Sequence, residues 1–201
     1  MNFLTKSLSI EIENFISFLK NELNVFDIQS FTKSAFCQGR SKIKPEVFHE
    51  LSSILIDEFY TDNEPAIERW KGLRVLAVDG SFVSLPQTKK LKSYYGEAKN
   101  NTATGVAQAR VSVLYDVLNK MVLDGSLAPL KIGERELAEG HLTKCGLGDL
   151  IIYDRGYPSY AFIHRHIQYN IEYLIRVKTS FSNLTQSFID SNAKSLSLIH
   201  I

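Results

Sequence analysis

Large apolar side chains fall at positions 4, 8, 12, 15, 16, 19 and 23, from Leu4 to Leu23, which is the stripe of one α-helix face. A second stripe, Val47, Phe48, Leu51, Ile54, Leu55 and Phe59, predicts a helix from Pro45 to about Tyr60. Pro45 sits in its first turn, where a missing N–H leaves no bond unmade. Between the two, Phe31 to Lys44 predicts a short helix and a turn at Gly39. At Leu73 the period changes from helical to strand-like, and Asp62-Asn63-Glu64-Pro65 supplies turn chemistry just before it. The expected division is therefore a helical region over residues 1–64 and an α/β region over 65–201.

Two runs in the α/β region stand out: Leu73-Arg74-Val75-Leu76-Ala77-Val78-Asp79-Gly80-Ser81 and Leu150-Ile151-Ile152-Tyr153-Asp154-Arg155-Gly156-Tyr157. Each is apolar and ends on an aspartate closely followed by glycine, as expected of a buried strand that delivers a carboxylate to its carboxyl end. Residues 87–105 are polar and predict a short helix and an exposed loop. Ala109, Val111, Val113, Tyr115 and Val117 alternate with Arg110, Ser112, Leu114 and Asp116, and Asn119-Lys120 turns this strand back into Met121 to Leu127. Then follow a helix over Glu134 to Leu142, a strand over Asp149 to Tyr153, a helix from Pro158 to Tyr169 and a strand from Tyr173 to Val177. This order predicts parallel strands with covering helices plus an antiparallel hairpin, and mixed sheets of that kind include the ribonuclease H-like fold. The first and fourth strands would then be neighbours, with Asp79 and Asp154 together at the carboxyl edge. The serine-rich segment 180–201 ends on Leu196-Ser197-Leu198-Ile199-His200-Ile201, which reads as an element cut off at its beginning.

Composition narrows the function classes only a little. With 201 residues, 44% hydrophobic and 22% charged, the chain has the makings of one ordinary domain and a smaller appendage. A net charge of +1 gives no overall basic field, so nucleic-acid contact would have to come from local clusters. Cys37 and Cys145 form neither a disulfide framework nor a zinc cluster, and the amino terminus lacks a signal peptide's design. No apolar run approaches the roughly 18 residues of a membrane span. The expectation is a reduced, cytoplasmic protein with no membrane partner. No glycine pattern matches a phosphate-binding loop, which argues against nucleotide cofactors.

Two ionised carboxylates about 4 Å apart repel by roughly 4 kcal/mol at an effective dielectric of 20, so a cation belongs between them. Hard oxygen ligands point to Mg2+ or Mn2+, and a pair of such ions supports in-line attack at phosphorus. An aspartate before glycine at a strand end is, however, most often a turn residue whose side chain bonds its own backbone. The segments around Asp79 and Asp154, with Gly105 to Asp124 between them and Gln38-Gly39-Arg40-Ser41-Lys42-Ile43 upstream, resemble bacterial insertion-sequence transposases of the DDE type, over roughly residues 30–178. The resemblance implies metal-dependent cleavage of transposon ends and strand transfer into target DNA, with Asp79 and Asp154 as two of three metal-binding carboxylates. The third, a glutamate, lies in that family far downstream in a helix with a Tyr-Arg-Glu-Lys signature. Neither Glu172 nor Asp190 has that context, so the chain resembles a transposase truncated before its catalytic glutamate.

Among basic residues, Lys33, Arg40, Lys42 and Lys44 lie in a stretch without acids, and the resemblance implies that the helical region binds transposon ends through Arg40, Lys42 and Lys44. A second cluster, Lys89, Lys90 and Lys92, reads as a solvated face, and Arg155 is a candidate for a phosphate near the metal. His164 and His166, two apart on one helix, point to different faces. His141 reads as a helix-end residue. Three readings stand: a DDE transposase, with a second copy of itself among its candidate partners; a non-catalytic DNA-binding regulator that competes or assembles with full-length transposase; and an α/β domain whose aspartates are turn residues.

Overall fold

The computed structural model describes residues 7–62, 64–98 and 105–191. Backbone contacts divide the chain into two units, Met1–Ile54 and Leu55–Ile201.

The first unit holds helices α1 (Leu8–Asn21) and α2 (Lys33–Arg40) and the start of α3 (Glu46–Asp62). Of the α1 stripe, Ile12 and Ile16 are buried, Phe15 is exposed, and Leu4 lies outside the described residues. Thr32 caps α2 by accepting the Ala35 N–H at 3.2 Å. Gly39 does not make the expected turn: it lies in the last turn of α2, and the chain turns after it, where the Ser41 hydroxyl donates to the Gln38 carbonyl at 2.8 Å. Pro45 directly precedes α3 rather than sitting in its first turn.

The second unit is built on a mixed sheet. Its strands are β1 (Arg74–Ser84), β2 (Glu97–Ala98), β3 (Val106–Asp116), β4 (Met121–Pro129), β5 (Asp149–Tyr153) and β6 (Glu172–Ile175). The order is β4-β3-β1-β5-β6, with β2 on the start of β3. The β1–β3 and β3–β4 pairs are antiparallel, and the β1–β5 and β5–β6 pairs are parallel. This is the mixed ribonuclease H-like topology expected from the element order. Helices α4 (Lys89–Tyr95), α5 (Glu134–His141), α6 (Tyr160–Gln168) and α7 (Asn183–Asp190) complete the unit. Pro158 does not open α6: Ser159 does, accepting the Phe162 N–H at 3.2 Å.

One face of the sheet carries the core, where Leu76 and Val78 of β1, Leu114 of β3 and Ile151 and Tyr153 of β5 meet Ala138 of α5 and Phe162 of α6. Burying each large side chain contributes about 1.5–3 kcal/mol. On β3 the buried residues besides Leu114 are Ala107, Ala109, Ser112 and Asp116, whereas Val111, Val113 and Tyr115 are only partly covered. The polar set can go inside because each member is bonded. Asp116 accepts from the Tyr60 hydroxyl, from the Leu118 and Asn119 N–H groups and from the Asn119 amide, and Ser112 meets His141.

Arg74 and Asp149 set the register of the central parallel pair. They stand opposite one another at the start of β1 and β5 and form a two-bonded ion pair, Nε to Oδ1 at 2.7 Å and Nη2 to Oδ2 at 2.9 Å. Burial pulls the guanidinium pKa down, but the bonds and charge of Asp149 outweigh it and raise the net value. A slip of one residue would break this buried pair and turn the side chains of β5 to the wrong face.

Candidate active site

From the Arg74–Asp149 clamp the register runs Val75 to Leu150, Leu76 to Ile151 and Ala77 to Ile152. Continued by two residues it sets Asp79 level with Asp154, each five positions beyond its member of the clamp. Neighbouring strands are about 4.8 Å apart, within which two level carboxylates can share a cation. Both residues are exposed.

Asp79 is not at the carboxyl end of its strand, as the sequence pattern suggests. β1 continues to Ser84 because its antiparallel partner β3 keeps pairing with it, from Leu76 opposite Asp116 to Ser84 opposite Gln108. Asp79 instead marks where the parallel neighbour β5 gives way to the loop that carries Asp154. Asp79–Gly80 is therefore strand rather than turn. The carboxylate does bond its own backbone, with Gly80 N–H donating to Oδ1 at 2.8 Å. Asp154 makes no side-chain hydrogen bond or ion pair among the described residues.

Gly80 has a steric reason. It shares the core-side parity of Leu76 and Val78, and a Cβ there would lie 3.3 Å from Glu134 Cγ and 3.5 Å from the Tyr157 hydroxyl oxygen. Glu134, in the first turn of α5, also reaches to 3.9 Å from the position of a Cβ on Gly156. A third carboxylate thus lies behind the aspartate pair, beside the glycines of both motifs. Arg110 holds it at 2.6 Å and caps the Phe82 ring at 4.7 Å. Sequence reasoning missed Glu134, because an acid in a helix's first turn looks like an ordinary partner of the helix dipole.

Tyr157 is 3% exposed, and its hydroxyl has no hydrogen-bond partner among the described residues. Burial, then the charges of Glu134, Asp79 and Asp154 against the opposing Arg110, pushes the phenol up to about 12. It stays protonated and can donate. The ring packs on Tyr153 and Phe162, which fixes its position.

The two histidines deeper in this unit belong to the framework. His141 is the last residue of α5, as expected, but its side chain does not meet the helix carbonyls: its Nδ1 meets Asp124 Oδ2 at 2.7 Å and its Nε2 meets Ser112 Oγ at 3.0 Å, tying α5 to β4 and β3. This serine–histidine–aspartate chain resembles a nucleophilic triad in its bonds alone. Ser112 is 1% and His141 0% exposed, so no substrate reaches it. His166 donates from Nδ1 to the Phe162 carbonyl at 2.8 Å and accepts the Tyr153 hydroxyl on Nε2 at 2.9 Å, while His164 on the other face is exposed. Burial lowers the His166 pKa. Cys37 and Cys145 are both free, and burial, with Asp149 nearby, pushes the Cys145 thiol up to about 12.

A transposase family model, described as "Transposase DDE domain", matches residues 70–197, well over half of the chain. The chain belongs to the DDE transposase family. No curated protein sequence matches it significantly. Among solved structures it is similar to the Mos1 transposase paired-end complex with left transposon end, at 9% identity and a TM-score of 0.36, over 88% of this chain and 57% of that one. The chain thus spans less than two thirds of that protein, and the likeness is too distant to inform the site.

The other basic residues singled out in this DDE transposase chain fall in both units. Arg40, Lys42 and Lys44 are exposed in the helical unit, and Arg155 is exposed directly after Asp154. Lys92 donates to the Gly105 carbonyl at 2.7 Å and pairs with Glu97. Glu172 opens β6 opposite Leu150, at the far end of β5 from Asp154, and Asp190 accepts from Gln186 at the end of α7. Among the described residues no three acidic, histidine or cysteine side chains are grouped to hold a metal, and no helix is long and apolar enough to cross a membrane.

Proposed function

We propose that Asp79 and Asp154 bind a divalent cation, Mg2+ or Mn2+, and act on DNA phosphodiesters. The observation that carries this reading is the parallel β1–β5 register, which, continued past Ala77 opposite Ile152, brings exposed Asp79 of β1 level with exposed Asp154 of the loop after β5, in a chain of the DDE transposase family. The donor set fits such an ion: hard oxygens, no cation paired to either aspartate among the described residues, and a positively charged partner needed to offset their repulsion. When bound, the ion supplies Lewis-acid activation of a phosphate oxygen and of the attacking hydroxyl. The chain's own contribution is placement: the Arg74–Asp149 clamp holds the strands in register, and Tyr157, packed on Tyr153 and Phe162, keeps its proton.

DNA is the proposed partner, both transposon ends and target. Residues 1–64 are proposed to form a DNA-binding region that uses Arg40, Lys42 and Lys44, and residues 65–201 the catalytic region. A test is calorimetry with manganese on wild type, Asp79→Asn and Asp154→Asn. Binding heat is expected in the wild type and its loss in both variants; unchanged heats would leave the aspartates as structural residues.

One observation favours a second reading. Glu134, the third carboxylate near the pair, is committed to Arg110 on the core side of β1, whereas Asp79 has the opposite parity. Two carboxylates should hold a second ion poorly, so a DNA-binding, non-catalytic role beside a full-length transposase is the alternative. Little strand transfer is expected from this polypeptide alone, and robust joining of transposon-end DNA with manganese would remove this alternative.

A further inference from the structure

Beside the aspartate rim, Arg135, Arg155 and Lys178 line one hollow of about 210 Å3 together with Gly156, Pro158, Ser180 and Phe181. The three cations come from separate places: the first turn of α5, the loop after Asp154, and the segment after β6. Among the described residues no acid lines the hollow. In the same unit Arg69, Arg74 and Arg110 each pair with a carboxylate, but Arg135, Arg155 and Lys178 have no ion pair among the described residues. Arg135 is nevertheless held in place, since its Nη2 donates to the Gly156 carbonyl at 3.3 Å, in the loop that carries Asp154. Phe181 adds an aromatic wall, with its ring 5.6 Å from that of Tyr160.

We propose that this hollow binds the phosphodiester backbone of the DNA strand leading away from the Asp79–Asp154 rim. Converging cations without a counter-anion suit a phosphate, and planar guanidinium groups suit its paired oxygens. The Phe181 wall suits the sugar or base of an unpaired nucleotide. The site rests on the reading of Asp79 and Asp154 as a phosphodiester centre, because adjacency to Asp154 makes it a flanking-phosphate site.

The test is fluorescence anisotropy of the full chain with a fluorescein-labelled duplex that carries a single-stranded extension, titrated over a series of salt concentrations without divalent metal. Each lost phosphate contact lowers the slope of log affinity against log salt by about 0.7–0.9, so the triple variant Arg135→Gln, Arg155→Gln, Lys178→Gln should lose roughly 2 to 3. A control triple, Lys120→Gln, Lys131→Gln, Lys144→Gln, removes the same charge elsewhere and should keep the wild-type slope. Equal slopes for the first triple and wild type, or an equal fall in the control, would overturn the proposal. The single variants Arg155→Gln and Lys178→Gln, each expected to lose about 0.7–0.9, decide the matter if the triple fails to fold. Manganese calorimetry on the same variants separates the two ideas. The hollow variants should keep the metal heat, and Asp79→Asn should lose it without changing the slope.

Discussion

Gly80 shows how one missing side chain shapes the rim. A Cβ would crowd Glu134 Cγ at 3.3 Å and touch the Tyr157 hydroxyl at 3.5 Å, so Gly80→Ala needs a shift of a few tenths of an ångström in a glutamate held by Arg110, whereas the extra methyls of Gly80→Val press on both groups. Gly80→Val is expected to cost about 1–3 kcal/mol in urea denaturation, and Gly80→Ala less. Tyr157 presents the opposite case, a buried hydroxyl without a partner among the described residues. Tyr157→Phe should leave stability unchanged or raise it by up to about 1 kcal/mol, and a larger loss would reveal a partner for the hydroxyl. His166 carries a pH prediction. Its folded pKa lies below the ordinary 6.5 because the ring is buried, so the unfolded chain binds more protons in that range. The stability it contributes is full above about pH 6.5 and is lost as pH falls from there through the lowered folded value. Urea midpoints measured across this acid range should fall in the wild type and fall less in His166→Gln.

The parallel pair β1–β5 is where local sequence becomes site geometry. Arg74 and Asp149 close one end, and the register they set, continued by two residues beyond Ala77 and Ile152, would bring Asp79 and Asp154 level at the other. Arg74→Met strands the Asp149 carboxylate in a buried position, and should cost about 3 kcal/mol. That corresponds to a fall of roughly 6–12 °C in melting temperature for a chain of this size. Adding Asp149→Leu should recover a large part of the loss, since an apolar pair leaves no charge unpaired. No recovery in the double variant would show that the clamp's value lies in its fixed geometry rather than in its charge balance.

At the scale of the whole molecule, the proposed metal site links binding to folding. A ligand that binds only the folded state stabilises it by about 2.7 kcal/mol when present at 100 times its dissociation constant. Saturating manganese should therefore raise the wild-type melting temperature by several degrees and leave Asp79→Asn and Asp154→Asn unmoved. A shift of equal size in the variants would place the ion elsewhere. Much of the fold was legible beforehand: β5 runs over Asp149–Tyr153 as its apolar run indicates, and the Asn119–Lys120 turn joins β3 to β4. Both depend on short-range chemistry, namely apolar runs and turn residues. The end of β1 was not legible, because its last residues are held by β3 rather than by their own pattern. The buried face of β3 was hidden for a similar reason, since Ser112 and Asp116 go inside only because His141, Tyr60 and Asn119 meet them there.

The amino-acid order by itself determined the succession of helices and strands, and the two aspartates that follow apolar runs, because periodicity and turn chemistry act between near neighbours. Tertiary structure alone decided that Glu134 stands behind the pair, committed to Arg110, and that Arg135, Arg155 and Lys178 line one hollow. Those groups are far apart along the chain, and only the crossing of β1 between β3 and β5, with α5 packed on the core face, brings them within reach of one another.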